Sequence, residues 1–99
     1  MKIAIAGYGV EGQSNYQYWS QMPMADITIV DEADRPAMVV PEGVKTMFGA
    51  GSFSKLDGFD LVIRTAGLAP RKIITGGKVW SATNEFFLQC ANQESDRGA

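Results

Sequence analysis

The opening twelve residues constrain this chain more than any other stretch. Lys2-Ile3-Ala4-Ile5-Ala6 is a short apolar run that reads as a buried strand. It passes directly into Gly7-Tyr8-Gly9-Val10-Glu11-Gly12, a G-x-G-x-x-G turn, and Glu11 to Met22 then reads as a helix. Strand, glycine turn and helix in that order open many nucleotide-binding α/β folds. In such a turn Gly7 bends the chain off the strand. Gly9, lacking a Cβ, admits a diphosphate close to the backbone, and Gly12 lets the helix pack tightly on the strand. The first helical turn then presents N–H groups and the positive end of the helix dipole to an anion. A glycine turn that serves packing alone is the competing reading.

The rest of the chain continues the alternation of strand and helix. Tyr16, Trp19 and Met22 recur at helical spacing and mark a core-facing stripe, with Tyr18 broadening it and Pro23 closing the helix. Asp26-Ile27-Thr28-Ile29-Val30 is a β-branched strand that ends at Asp31. An acidic residue at the tip of the second strand, about twenty residues after the glycine turn, is placed to accept ribose hydroxyls, or else to hold a loop. Glu32 to Gly43 reads as an exposed connection, with Val39-Val40 docking it on the sheet, and Val44 to Phe48 as a third strand. Ser52 is expected to cap a short helix through Leu56 that buries Phe53 and Leu56. Asp57-Gly58 is a turn, and Phe59 to Arg64 is a fourth, densely apolar strand. It ends in a second small-residue loop, Thr65 to Pro70, expected beside the first glycine turn at the carboxyl edge of the sheet. Ile73 and Ile74 fall in a short helix or turn. Lys78-Val79-Trp80 is a fifth strand, and Ser81 is expected to cap a last helix burying Phe86, Phe87 and Cys90.

The pattern argues an α/β domain over residues 1–91, followed by a polar tail at 92–99. Its fold class is a Rossmann-like half-fold of about five parallel strands flanked by helices. Composition removes several chemistries. The chain has no histidine and a single cysteine, so histidine-based triads, the common zinc sites and an internal disulfide are excluded. Net charge is −2 with no basic run, which argues against nucleic acid as a partner. No apolar stretch approaches a membrane span, and Gly7 ends the opening run before it could serve as a signal peptide. These features fit a reducing cytoplasm.

Three nucleotide readings stand at this point. The glycine turn and Asp31 permit an NAD(P)-binding domain of an oxidoreductase or regulator. Gly7 to Ser14 also fits a P-loop spacing, but the phosphate-binding lysine position holds Gln13, which disfavours ATP there. The third reading is a clamp for a nucleotide diphosphate whose reactive end lies elsewhere.

Four segments in order favour the third. They are Ile3 to Ser14, Thr28-Ile29-Val30-Asp31, Leu61 to Pro70, and Val79 to Phe87. Over these, covering residues 2–91, the chain resembles the amino-terminal domain of the Mur ligases, in particular those that add D-glutamate in peptidoglycan synthesis. The resemblance implies binding of the UDP part of UDP-N-acetylmuramoyl-L-alanine. Gly7, Gly9 and Gly12 would shape the turn, with N–H groups of Val10 and Glu11 on the diphosphate. Asp31, Glu32 and Ala33 would border the uridine, and Thr65, Ala66 and Gly67 would form the facing wall. Thr65-Ala66 stands where the family has Ser-Pro, and Glu11 places a negative charge beside the diphosphate. The family's reaction uses ATP and Mg2+ to make an acyl phosphate that the amine of D-glutamate attacks. The central and carboxy-terminal ligase domains that do this are absent from these 99 residues, so the chain alone is expected to bind substrate without catalytic residues, cofactor or metal.

Overall fold

The computed structural model describes residues 1–65, 68 and 73–81. Its strands are β1 (Lys2–Ala6), β2 (Asp26–Asp31), β3 (Lys45–Phe48), β4 (Leu61–Arg64) and β5 (Lys78–Ser81), with helix α1 (Val10–Trp19) joining β1 to β2. All strand pairs are parallel, and the sheet order is β3-β2-β1-β4-β5. The chain therefore builds outward from β1 to β3 on one side, then returns to the other side of β1 for β4 and β5. Strand order reverses between β1 and β4, which is the switch point where open α/β sheets hold their ligands. The fold is an α/β Rossmann-like half-fold, as the alternation of elements predicts.

Period-two alternation sorts the strand residues onto two buried faces. Ile3, Ile5, Ile29, Leu61 and Ile63 face one way, packed with Tyr8 and with Tyr16 and Trp19 of α1. Ala4, Ala6, Val30 and Val62 face the other, against Phe53, Leu56, Phe59 and Ile73. The small alanines of the central strand leave room for these bulky partners. Burial on both faces explains why the strands read as nearly unbroken apolar runs. Of the Val39-Val40 pair expected to dock the connection, Val40 does so beside Met38 and Val44, while Val39 is exposed.

Several local expectations change. Helix α1 ends at Trp19, and the chain tightens after it through Gln21 N–H to Tyr18 O and Met22 N–H to Trp19 O ahead of Pro23. The short helix expected after Ser52 is a single 3-10 turn, Ser52–Ser54, capped by Gly51. The Ser52 hydroxyl donates to Gly49 O at 2.6 Å instead of accepting from the helix. The turn cannot lengthen because the Leu56 N–H is bonded to Ile74 O. Ile73 and Ile74 accordingly run alongside this turn rather than forming a helix, with Ile74 N–H on Phe53 O at 2.9 Å. Phe59 and Asp60 precede β4 instead of belonging to it. Ser81 is the last residue of β5, paired in register with Arg64; the helix it is expected to cap lies outside the described residues. The expected final helix with Phe86, Phe87 and Cys90, and the polar tail, lie outside the described residues. No helix among the described residues is long and apolar enough to cross a membrane.

The amino edge of the sheet carries a row of alternating charges. Across the strand order it runs Lys45, Asp26, Lys2, Asp60, Lys78. Lys45 pairs with Asp26 at 3.0 Å, and the Asp60 carboxylate accepts the Lys2 backbone N–H at 2.8 Å. The lysine ends of Lys2 and Lys78 lie over the rings of Phe59 and Trp80, at 5.5 and 4.1 Å.

Helix α1 approaches β1 so closely that Gly12 has no alternative. A Cβ there would collide with the carbonyl oxygen of Gly7 and lie 2.9 Å from its carbonyl carbon. Both obstacles are backbone and cannot swing aside. Gly12→Ala should therefore cost about 2–3 kcal/mol or more, lowering the melting temperature by roughly 10 °C or more in a domain of this size. A thermal melt within about 2 °C of the parent would show that the helix can slide away freely.

Candidate nucleotide-binding crevice

The first wall of the switch point is the turn between β1 and α1. Gly7 sits at φ +90°, a region L side chains rarely adopt, and its N–H donates to Val30 O at 2.8 Å. Tyr8 then drops its ring beneath α1 and is 1% exposed. Its hydroxyl has no hydrogen-bond partner among the described residues, and burial, aided by nearby Tyr16, pushes its pKa up. Gly9 caps α1 in an extended conformation with no side-chain hydrogen bond. The helix's own ladder starts with Gln13 N–H to Gly9 O at 3.0 Å, so the N–H groups ahead of Gln13 lie outside that ladder. Nothing lies within 4 Å of where a Gly9 Cβ would be. Glu11 occupies the first turn and Val10 is exposed beside it.

The second feature is the acidic end of β2. Asp31 Oδ2 accepts the Tyr8 N–H at 2.9 Å, and Oδ1 accepts the Ala33 N–H at 3.0 Å. The Asp31 carbonyl also accepts Gly49 N–H at 3.0 Å, and Glu32 Oε2 takes Gly51 N–H at 2.8 Å. Asp31 thus ties the glycine turn to the tip of β2, while Glu32 ties that tip to the loop after β3. A carboxylate has about four acceptor sites, so Asp31 keeps capacity for a ligand hydroxyl beside its structural bonds. This loop-holding role is the alternative that the sequence left open, now given partners.

The third feature is the loop after β4. A Cβ on Gly7 would lie 3.3 Å from Thr65 Cγ2, so Thr65 rests directly on the glycine turn. Leu68 N–H turns back to Thr65 O at 3.1 Å. Ala66 and Gly67, the rest of the expected wall, lie outside the described residues. Arg64 was not singled out by the sequence motifs. Its Nη1 donates to both Thr65 O and Leu68 O at 3.4 Å. A strand-terminal cation at the switch point is the signal that would have found it.

Gly7, Gly9, Val10, Glu11 and Gly12 therefore form one wall, to which Asp31 is joined through the Tyr8 N–H; Ala33 is held by Asp31, Glu32 is tied instead to Gly51, and Thr65 touches the wall from the side. A hollow of about 330 Å³ lies elsewhere, at the amino edge, between the end of α1 and the starts of β2 and β3. It is lined by Tyr16, Ser20, Asp26, Glu42 and Lys45, among others, and shares no residue with the crevice. Among the described residues no group of three or more His, Cys, Asp or Glu could hold a metal. No protein family, curated protein or solved structure matches the chain. The fold and the crevice together define an α/β half-fold with a nucleotide-type glycine turn at its switch point.

Asp31→Asn tests the structural role. The amide keeps one acceptor but turns an NH2 donor toward one of the two N–H groups. Hydrogen bonds to a charged group contribute about 1.5–3 kcal/mol, so the ligand-free protein should melt roughly 5–10 °C lower. An unchanged melting temperature would show that Asp31 contributes nothing to holding the turn.

Proposed function

We propose that this chain anchors the UDP end of UDP-N-acetylmuramoyl-L-alanine, as the amino-terminal domain of an ATP-dependent ligase that adds D-glutamate in peptidoglycan synthesis. The observation that carries the reading is the strand order, with the contact it creates between Thr65 and Gly7. It supports a crevice whose floor is a helix start and whose two sides are the tips of β2 and β4.

In this reading the diphosphate meets the main-chain N–H groups at Val10 and Glu11, over the open space at Gly9. The helix dipole and the amides together supply the attraction. The uridine lies between the Asp31-Glu32-Ala33 tip and the Thr65-Ala66-Gly67 loop. The Asp31 carboxylate can accept a ligand hydroxyl while still holding Tyr8. Binding here fixes one end of the substrate and leaves its carboxylate to project away. In the complete enzyme, ATP and Mg2+ would activate that carboxylate on other domains, so this domain contributes positioning and not bond-making.

A thermal-shift comparison tests the reading. At a hundred times its Kd a ligand stabilises the folded state by about 2.7 kcal/mol, a rise on the order of 10 °C for a domain of this size. UDP-N-acetylmuramoyl-L-alanine should produce that rise and NADH should not. The reverse pattern would make the chain a dinucleotide binder.

Gly9→Val separates recognition from folding. The space around Gly9 is open, so the variant should melt within a few degrees of the parent. Its branched side chain would fill the diphosphate position and weaken UDP binding about tenfold or more in calorimetric titration. Binding equal to the parent would place the diphosphate elsewhere.

A further inference from the structure

We propose that Arg64 is the positioning residue of the crevice, stapling the loop after β4 so that Thr65 is held against the glycine turn. The inference rests on reading the crevice as the UDP site. Arg64 closes β4, with its backbone in register between Ala6 of β1 and Ser81 of β5. Its Cα is therefore fixed by the sheet while its side chain reaches along the loop. One nitrogen, Nη1, donates to the carbonyls of Thr65 and Leu68, each at 3.4 Å. Thr65 O also accepts Leu68 N–H at 3.1 Å, so the same carbonyl anchors the turn and the staple. The individual bonds are long. Their effect comes from sharing: a single cation draws two carbonyls toward one point.

This constraint adds to the Leu68 N–H bond on Thr65 O. No proline stiffens Thr65-Ala66-Gly67-Leu68. The staple acts across the crevice through Thr65, whose methyl lies over Gly7 at the start of the phosphate turn. Arg64, Thr65 and Gly7 form a continuous contact from the end of β4 to the end of β1. Arg64 thus sets the distance between the two walls without itself touching the nucleotide.

Arg64→Met and Arg64→Lys test the proposal on the 99-residue chain. Methionine keeps the apolar stem and removes the donors, whereas lysine keeps a donor able to serve both carbonyls. In hydrogen exchange, the Leu68 amide should exchange about tenfold faster in Arg64→Met and near the parent rate in Arg64→Lys. In titration calorimetry, Arg64→Met should bind UDP about five-fold more weakly, with inorganic pyrophosphate changed less than two-fold, and Arg64→Lys should recover most of the UDP affinity. Leu68 exchange unchanged by Arg64→Met, or equal loss of UDP and pyrophosphate, would overturn the proposal. If the parent chain binds no UDP, the reading of the crevice falls by itself. The Leu68 exchange rate then still decides the staple, because it needs no ligand.

Discussion

The carboxyl edge of this domain depends on one carboxylate. Asp31 accepts the N–H of Tyr8 on one oxygen and that of Ala33 on the other. The first bond fixes where the glycine turn leaves β1, and hence where α1 begins and which way its first amides point. The second sets the backbone just past β2. Remove the charge, and the turn keeps its glycines but loses the partner that orients them. The Gly7 N–H on Val30 O reinforces the same junction from the main chain. A helix start built this way is rigid before any ligand arrives, which reduces the ordering cost of binding.

The division between what was legible in the sequence and what was not follows the range of the interactions. The strands were legible because each is apolar on two faces, and Ile3, Ile5, Val62 and Ile63 lie where their pattern puts them. Gly12 was legible because a glycine in the first helical turn after a strand has a packing reason, and the backbone of Gly7 supplies it. The partners of Asp31 were not legible. Tyr8 comes within reach only through the register of β1 and β2, which pairs Ala6 with Val30. The same holds for the 3-10 turn after Gly51. Its local sequence permits a longer helix, and the Leu56 N–H is diverted by Ile74, a residue from another segment. Arg64 is marked in the sequence only by its place at the end of β4, because its acceptors, the carbonyls of Thr65 and Leu68, belong to no motif.

Buried polar groups complete the account of the α1 face. The Tyr8 hydroxyl and the Asn15 amide nitrogen are both enclosed without partners among the described residues. Each such group costs about 1–3 kcal/mol relative to a bonded one. The close approach of Gly12 to the Gly7 backbone holds the helix start against the end of β1.

The charged row at the amino edge has a consequence for how the molecule behaves in company. A parallel sheet has two outermost strands, and each exposes a line of main-chain groups able to recruit a strand from another molecule. Among the described residues those strands are β3 and β5, each only four residues long and beginning with lysine. Two copies approaching edge to edge would bring like charges together before many hydrogen bonds could form. The two lysine ends are held, Lys45 in an ion pair with Asp26 and Lys78 over the ring of Trp80, so Lys78 carries the larger share of the uncompensated charge. The sheet therefore carries its own deterrent to growth into fibrils, on the edge farthest from the crevice.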